Sequence, residues 1–155
     1  MLEDVVQDRD FAKLMKKNII DMIVLFFEKE QNFGILCPVE DVSFNPELPQ
    51  EITQSFQPLT LFFLAGYTFE TARIEDDYII FEAGFGRENI GSVVSVPLLS
   101  ILQIIIDETP VLINISSFRE KLEEEEEKNT TLDEDGVKNS MASFLNNPEN
   151  AKFLK

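Results

Sequence analysis

Between residues 59 and 96, runs of β-branched and aromatic residues alternate with turn chemistry, and this restricts the fold more than any other stretch. Residues 59–74 (LTLFFLAGYTFETARI) read as strand-rich, Glu75-Asp76-Asp77 as a turn, and residues 78–85 as the antiparallel partner. Gly84, Gly86 and Gly91 then mark a bend or bulge before a further strand, SVVSV. Strands joined by short turns pair antiparallel, so alternating β-α units are not expected here.

The flanking segments add helices. Phe11, Leu14, Met15, Ile19, Met22, Ile23 and Phe26 fall at helical spacing, with Lys13, Lys16 and Lys17 on other faces, predicting a helix over residues 11–31 that Gly34 ends. Its second half, IIDMIVLFF, is apolar nearly all round. A symmetric partner helix would cover the surplus face; complete burial within one domain, or a strand at IVLFF, are the alternatives. ILCPVEDVSF reads as extended, with Pro38 marking an edge or an entry, and three prolines between Asn45 and Pro58 mark a long connection. Pro97 suits the first turn of a helix capped by Ser95, so LLSILQIII reads as a second, buried helix. Asp107 and Glu108 close it, and Pro110 stops it before a short strand, VLINI. The expected class is α+β: a globular domain over residues 1–118, followed over 119–155 by an acidic tail whose REKLEEEEEKNTTLDEDG run resists packing.

Charge narrows the partners. Net charge is −16, from 13 basic and 29 acidic residues. Residues 119–155 hold six Lys/Arg and ten Asp/Glu, net −4, which leaves seven against nineteen, net −12, in the domain itself. A phosphate backbone would bind against that field, so nucleic acid is not an expected partner, whereas basic or amine-bearing ligands suit it. The longest nearly apolar run, residues 19–27, is about half the ~20 residues of a membrane-spanning helix. No membrane partner is expected. The N-terminus lacks the basic-then-apolar pattern of a secretory signal, and Cys37 is the only cysteine, so a reducing, cytoplasmic location is expected.

Chemistry is restricted further by the absence of histidine, which removes Ser-His-Asp and Cys-His nucleophile pairs and imidazole metal sites. Asp76, Asp77, Glu82 and Glu88 lie close in sequence, but Asp76-Asp77 is turn chemistry and adjacent strand residues point to opposite faces. The expectation is a protein with no catalytic residues, no metal and no cofactor. In GFGRENIG the spacing of Gly84, Gly86 and Gly91 is neither a dinucleotide nor a P-loop pattern. Glycines in an extended segment admit a second backbone, which points to a peptide-binding edge or groove.

Residues 81–102, FEAGFGRENIGSVVSVPLLSIL, resemble the central segment of the stringent starvation protein B (SspB) family of adaptors, which deliver ssrA-tagged proteins to the ClpX unfoldase. The matching positions are Phe81, Ala83, Phe85 and Gly86, then Val94-Ser95-Val96-Pro97-Leu98. With the order of elements included, the similarity spans roughly residues 15–118 and continues in kind into an acidic tail. It implies an Sm-like β-sandwich or barrel, a homodimer formed through the N-terminal helix, and a groove for an extended tag. By position that groove is bordered by Phe81, Ala83, Gly84 and Phe85, with Leu61 and Phe63 as neighbours from the preceding strand. Ala151, Lys152, Phe153, Leu154 and Lys155 stand where the family's ClpX-docking peptide lies. The chain departs from the pattern at Gly84, where the family often has arginine, and at Arg87, where it has a second glycine. Two other readings fit the composition: a small acidic dimeric chaperone for a secreted protein, and a hot-dog-like acyl-CoA-binding regulatory domain.

Overall fold

Asp8 begins the main helix by accepting a 2.6 Å hydrogen bond from the Asp10 N–H, leaving one orphan amide of the first turn satisfied. In the computed structural model, which describes residues 1–119, a short helix α1 (Leu2–Val6) precedes this one, α2 (Arg9–Glu28). Ala12, Ile19 and Ile23 are its buried stripe, and Phe26 and Phe27 lean on Phe33 with ring centroids 5.4 and 6.2 Å away. The helix ends at Glu28, earlier than the predicted boundary. Gly34 is not its stop signal but lies within the first strand.

Eight strands follow: β1 (Phe33–Pro38), β2 (Ser43–Asn45), β3 (Leu59–Leu64), β4 (Arg73–Glu75), β5 (Tyr78–Phe85), β6 (Ile90–Pro97), β7 (Gln103–Ile106) and β8 (Thr109–Ile113). They form two antiparallel four-stranded sheets, β3-β1-β7-β8 and β2-β6-β5-β4, and no barrel closes. Two short helices interrupt the connections, α3 (Gln50–Thr53) and α4 (Tyr67–Thr71). The class is thus α+β with an N-terminal helix and antiparallel sheets. Pro38 closes β1, which is nonetheless an inner strand, because a terminal proline leaves the ladder before it intact.

Alternation builds the core between the sheets. Phe33, Ile35 and Cys37 of β1, Phe62 and Leu64 of β3 and Ile104 of β7 face Ile79 and Phe81 of β5 and Val94 and Val96 of β6, and the helix adds Ile19 and Ile23. Phe81 is fully buried, with its ring centroid 5.9 Å from that of Phe62.

The predicted second helix does not form. Leu98–Ser100 makes one 3-10 turn, Ser95 lies in β6, and the three consecutive isoleucines 104–106 belong to β7. Asp107 and Glu108 both adopt left-handed backbone, φ 51° and 68°, the geometry of a tight hairpin turn rather than of a helix end. β-branched residues beside such a turn pair as strands, and pairing with β8 outweighs the helix-opening signal of Pro97. Buried Asn114 fastens the segment by donating from Nδ2 to the carbonyls of Leu99 and Ile101, at 3.1 and 3.0 Å. No helix of the described residues is long and apolar enough to cross a membrane.

Two outcomes follow from the core. Truncating Phe81 to alanine should cost about 3–5 kcal/mol in a urea melt, because the ring fills the space between the sheets. A smaller loss would mean the sheets close over the gap. Burial, and then the charge of Asp41, push the Cys37 thiol from the usual 9.0 up to about 12. The folded state therefore holds this proton more tightly than the unfolded chain does, so stability is intact below pH 9.0 and declines as pH climbs towards about 12. Urea melts at about pH 8 and about pH 10 should show that decline, and Cys37→Ala should flatten it.

Candidate functional site

The β5–β6 hairpin turns through Gly86 (φ 78°) and Asn89 (φ 53°), with the Asn89 N–H donating to the Gly86 carbonyl at 3.1 Å. Glycine and asparagine are the residues that tolerate this left-handed backbone. The ladder places Gly84 directly opposite Gly91, so two adjacent positions on the outer face of this sheet carry no side chain. Above Gly84 lies the carboxamide of Asn89: a Cβ built on Gly84 would come 1.8 Å from its Oδ1. A Cβ on Gly91 would meet nothing within 4 Å.

This bare strip floors a cleft of about 380 Å³ whose walls include Asn45, Tyr67, Glu82 and Asn89. Tyr67 is brought in by α4 and donates from Oη to Glu82 Oε1 at 2.6 Å. That hydrogen bond, and then the carboxylate's charge, raise the phenol's pKa, so the pair acts as a protonated phenol on a carboxylate. Among the described residues, Glu82 is the one charged side chain on the cleft wall.

The strand edge beside the cleft is open. β4 is only three residues long and pairs with β5 no further than Ile80. Beyond it, the Glu82 N–H leaves the sheet and donates to Thr71 Oγ1 at 2.9 Å. Antiparallel alternation then turns the N–H and C=O of Gly84 the same way, outward from β6. An extended chain laid along β5 would meet those groups beside the Asn89 carboxamide over Gly84 and the open space over Gly91.

The residues expected at a groove are divided by the fold. Ala83 and Gly84 border the cleft. Phe81 and Phe85 lie on the inner face of β5: Phe81 is core, and half-buried Phe85 sits edge-on to Phe44 and Phe56, at 5.6 and 5.9 Å. These rings support the hairpin from beneath, together with α3, whose Ile52 Cδ1 would lie 3.0 Å from a Cβ on Gly86. Leu61 and Phe63 project from the outer face of the other sheet, away from Gly84. Ala151, Lys152, Phe153, Leu154 and Lys155 fall outside the described residues. Sequence reasoning missed Tyr67, Asn45 and Asn89. Of these only Asn89 carried a usable signal, as an αL-tolerant residue next to a glycine-marked turn.

No protein-family model matches the chain, and comparison with curated proteins finds no match.

The two glycines should respond oppositely to a methyl group. Gly91→Ala, entering open space, should be neutral or raise stability by about 0.4–1 kcal/mol. Gly84→Ala, forced against Asn89, should lower it by about 1 kcal/mol, and an Asn89→Gly background should remove most of that loss. Equal effects at the two positions in thermal melts would contradict the packing of Asn89 over Gly84.

Proposed function

We propose that the protein is a non-enzymatic, cytoplasmic adaptor that captures an extended peptide tag of the ssrA type and delivers the tagged chain to a ClpX-type unfoldase. The observation that carries this reading is the open edge of β5 at Gly84, beside a cleft floored by paired Gly84 and Gly91. Strand addition supplies affinity through backbone hydrogen bonds, and flanking side chains select the sequence. The resemblance of residues 81–102 to the SspB family supports the same role. In this reading the sheets are a variant of the Sm-like sandwich, the protein is a homodimer, and the acidic tail is a tether. Ala151, Lys152, Phe153, Leu154 and Lys155 are the docking peptide at its end, raising the local concentration of cargo at the unfoldase. Glu82 on the cleft wall and the net charge of −16 favour tags with a basic or neutral residue at that position.

The test is fluorescence anisotropy of a labelled ssrA-type peptide against the full-length protein, a scrambled peptide, and Gly91→Leu. A Cβ at position 91 enters open space, so a leucine there projects into the cleft. Saturable binding weakened at least about tenfold by both changes is the expected result. Absence of saturable binding, or binding indifferent to Gly91→Leu, would rule out tag capture at this cleft.

A further inference from the structure

An antiparallel sheet that packs its core on one side normally presents polar residues on the other. The sheet β3-β1-β7-β8 does not. Its outward positions are Leu59, Leu61 and Phe63 on β3, Leu36 on β1, Ile105 on β7 and Ile113 on β8, together with Gly34, Pro38, Gln103 and Pro110. Leu59, Leu61, Phe63 and Ile113 are 50, 45, 63 and 56% exposed, while Phe62 and Leu64, on the opposite face of β3, are buried. Gly34 keeps the face flat: Leu61 leans across it, its Cδ1 3.0 Å from where a Cβ would stand.

We infer that this face is the interface with a second copy of the chain. Three observations select that occupant. The first is charge. None of these outward positions carries one, in a chain with 29 acidic and 13 basic residues. A partner recruited by the protein's acidity would meet no carboxylate on this face, whereas another acidic copy brings an equally uncharged face and feels repulsion only at the rim. The second is area. The exposed apolar surface is on the order of 500 Å², about what a standard interface of ~800 Å² per partner needs when ~65% of it is apolar, as in homodimers. The third is shape. A flat sheet face of Leu, Ile, Phe and Pro has no cleft for a side-chain anchor, but it packs on its own two-fold image as sheets do, ~10 Å apart.

The outer face of α2 is a poorer candidate. Its exposed Leu14, Val24 and Leu25 are interleaved with Lys13, Lys17, Asp21 and Glu28, and Lys17 is paired with Asp21 at 2.7 Å. The interface therefore lies on the sheet rather than on the N-terminal helix, and the inference does not depend on peptide capture at the cleft.

Sedimentation equilibrium of the full-length protein, with Phe63→Glu and Leu25→Glu beside it, tests the assignment. Expected are twice the chain mass of 17.8 kDa for the wild type and Leu25→Glu, and a single chain mass for Phe63→Glu with its far-UV spectrum preserved. A monomeric wild type at about 100 µM, or a dimer lost in Leu25→Glu and kept in Phe63→Glu, would overturn it. Should Phe63→Glu fail to fold, Ile113→Cys gives a second readout, because Cys37 is buried and contributes no background reactivity. Maleimide labelling at position 113 should slow at least about tenfold on concentration from nanomolar to tens of micromolar, and a rate independent of concentration would equally overturn the assignment.

Discussion

Two four-stranded sheets each turn an apolar face inward, and each finds the other as its cover. Phe81 is central to this, fully buried and packed on Phe62 across the gap. Most other features answer to that closure. α2 lays Ile19, Ile23 and Phe26 against the same core, and Asn114 ties the stretch after β6 to the end of β8, so that the crossing from one sheet to the other carries satisfied hydrogen bonds.

The hairpin of the candidate site is held from the same side. Phe44, Phe56 and Phe85 form an aromatic group continuous with the core through Phe62, fixing one end of β5 and β6 from below. With the inner face anchored, the outer face can forgo side chains at Gly84 and Gly91 without the ladder losing its register. The resulting surface joins an open backbone edge to a cleft with one carboxylate. Its lack of bulk is what suits it to an extended chain.

Two surfaces of the described residues differ in character. One is the small cleft on the sheet containing β5, with Glu82 on its wall, and the other the broad uncharged face of the sheet containing β3. They lie on opposite sides of the sandwich, so a second copy on the latter leaves the cleft accessible. A dimer built in this way would present two clefts facing away from each other, a geometry suited to bivalent capture.

Local pattern made the helix over α2, the turn at Glu75-Asp76-Asp77 that joins β4 to β5, and the α+β class legible in the sequence, because periodicity and turn residues act over a few positions; it did not show that residues 59–64, expected to pair with β5, leave it for β1 in the other sheet. It also made the glycine-marked segment stand out, and Ala83 and Gly84 do border the cleft. It failed at LLSILQIII, where a helix-opening proline competed with a hairpin turn whose strength depends on the partner strand β8. The resemblance set Leu61 and Phe63 beside Gly84, and local pattern could not correct it, since strand alternation says that successive residues face opposite ways but not which way is inward. That choice belongs to tertiary structure: only when the sheets stacked did Phe62 and Leu64 become core and Leu59, Leu61 and Phe63 surface. Tyr67 and Asn45 likewise reached the cleft from distant points of the chain, Asn45 by the pairing of β2 with β6 and Tyr67 by the bonds of α4 to Glu82 of β5, rather than by any spacing written along it.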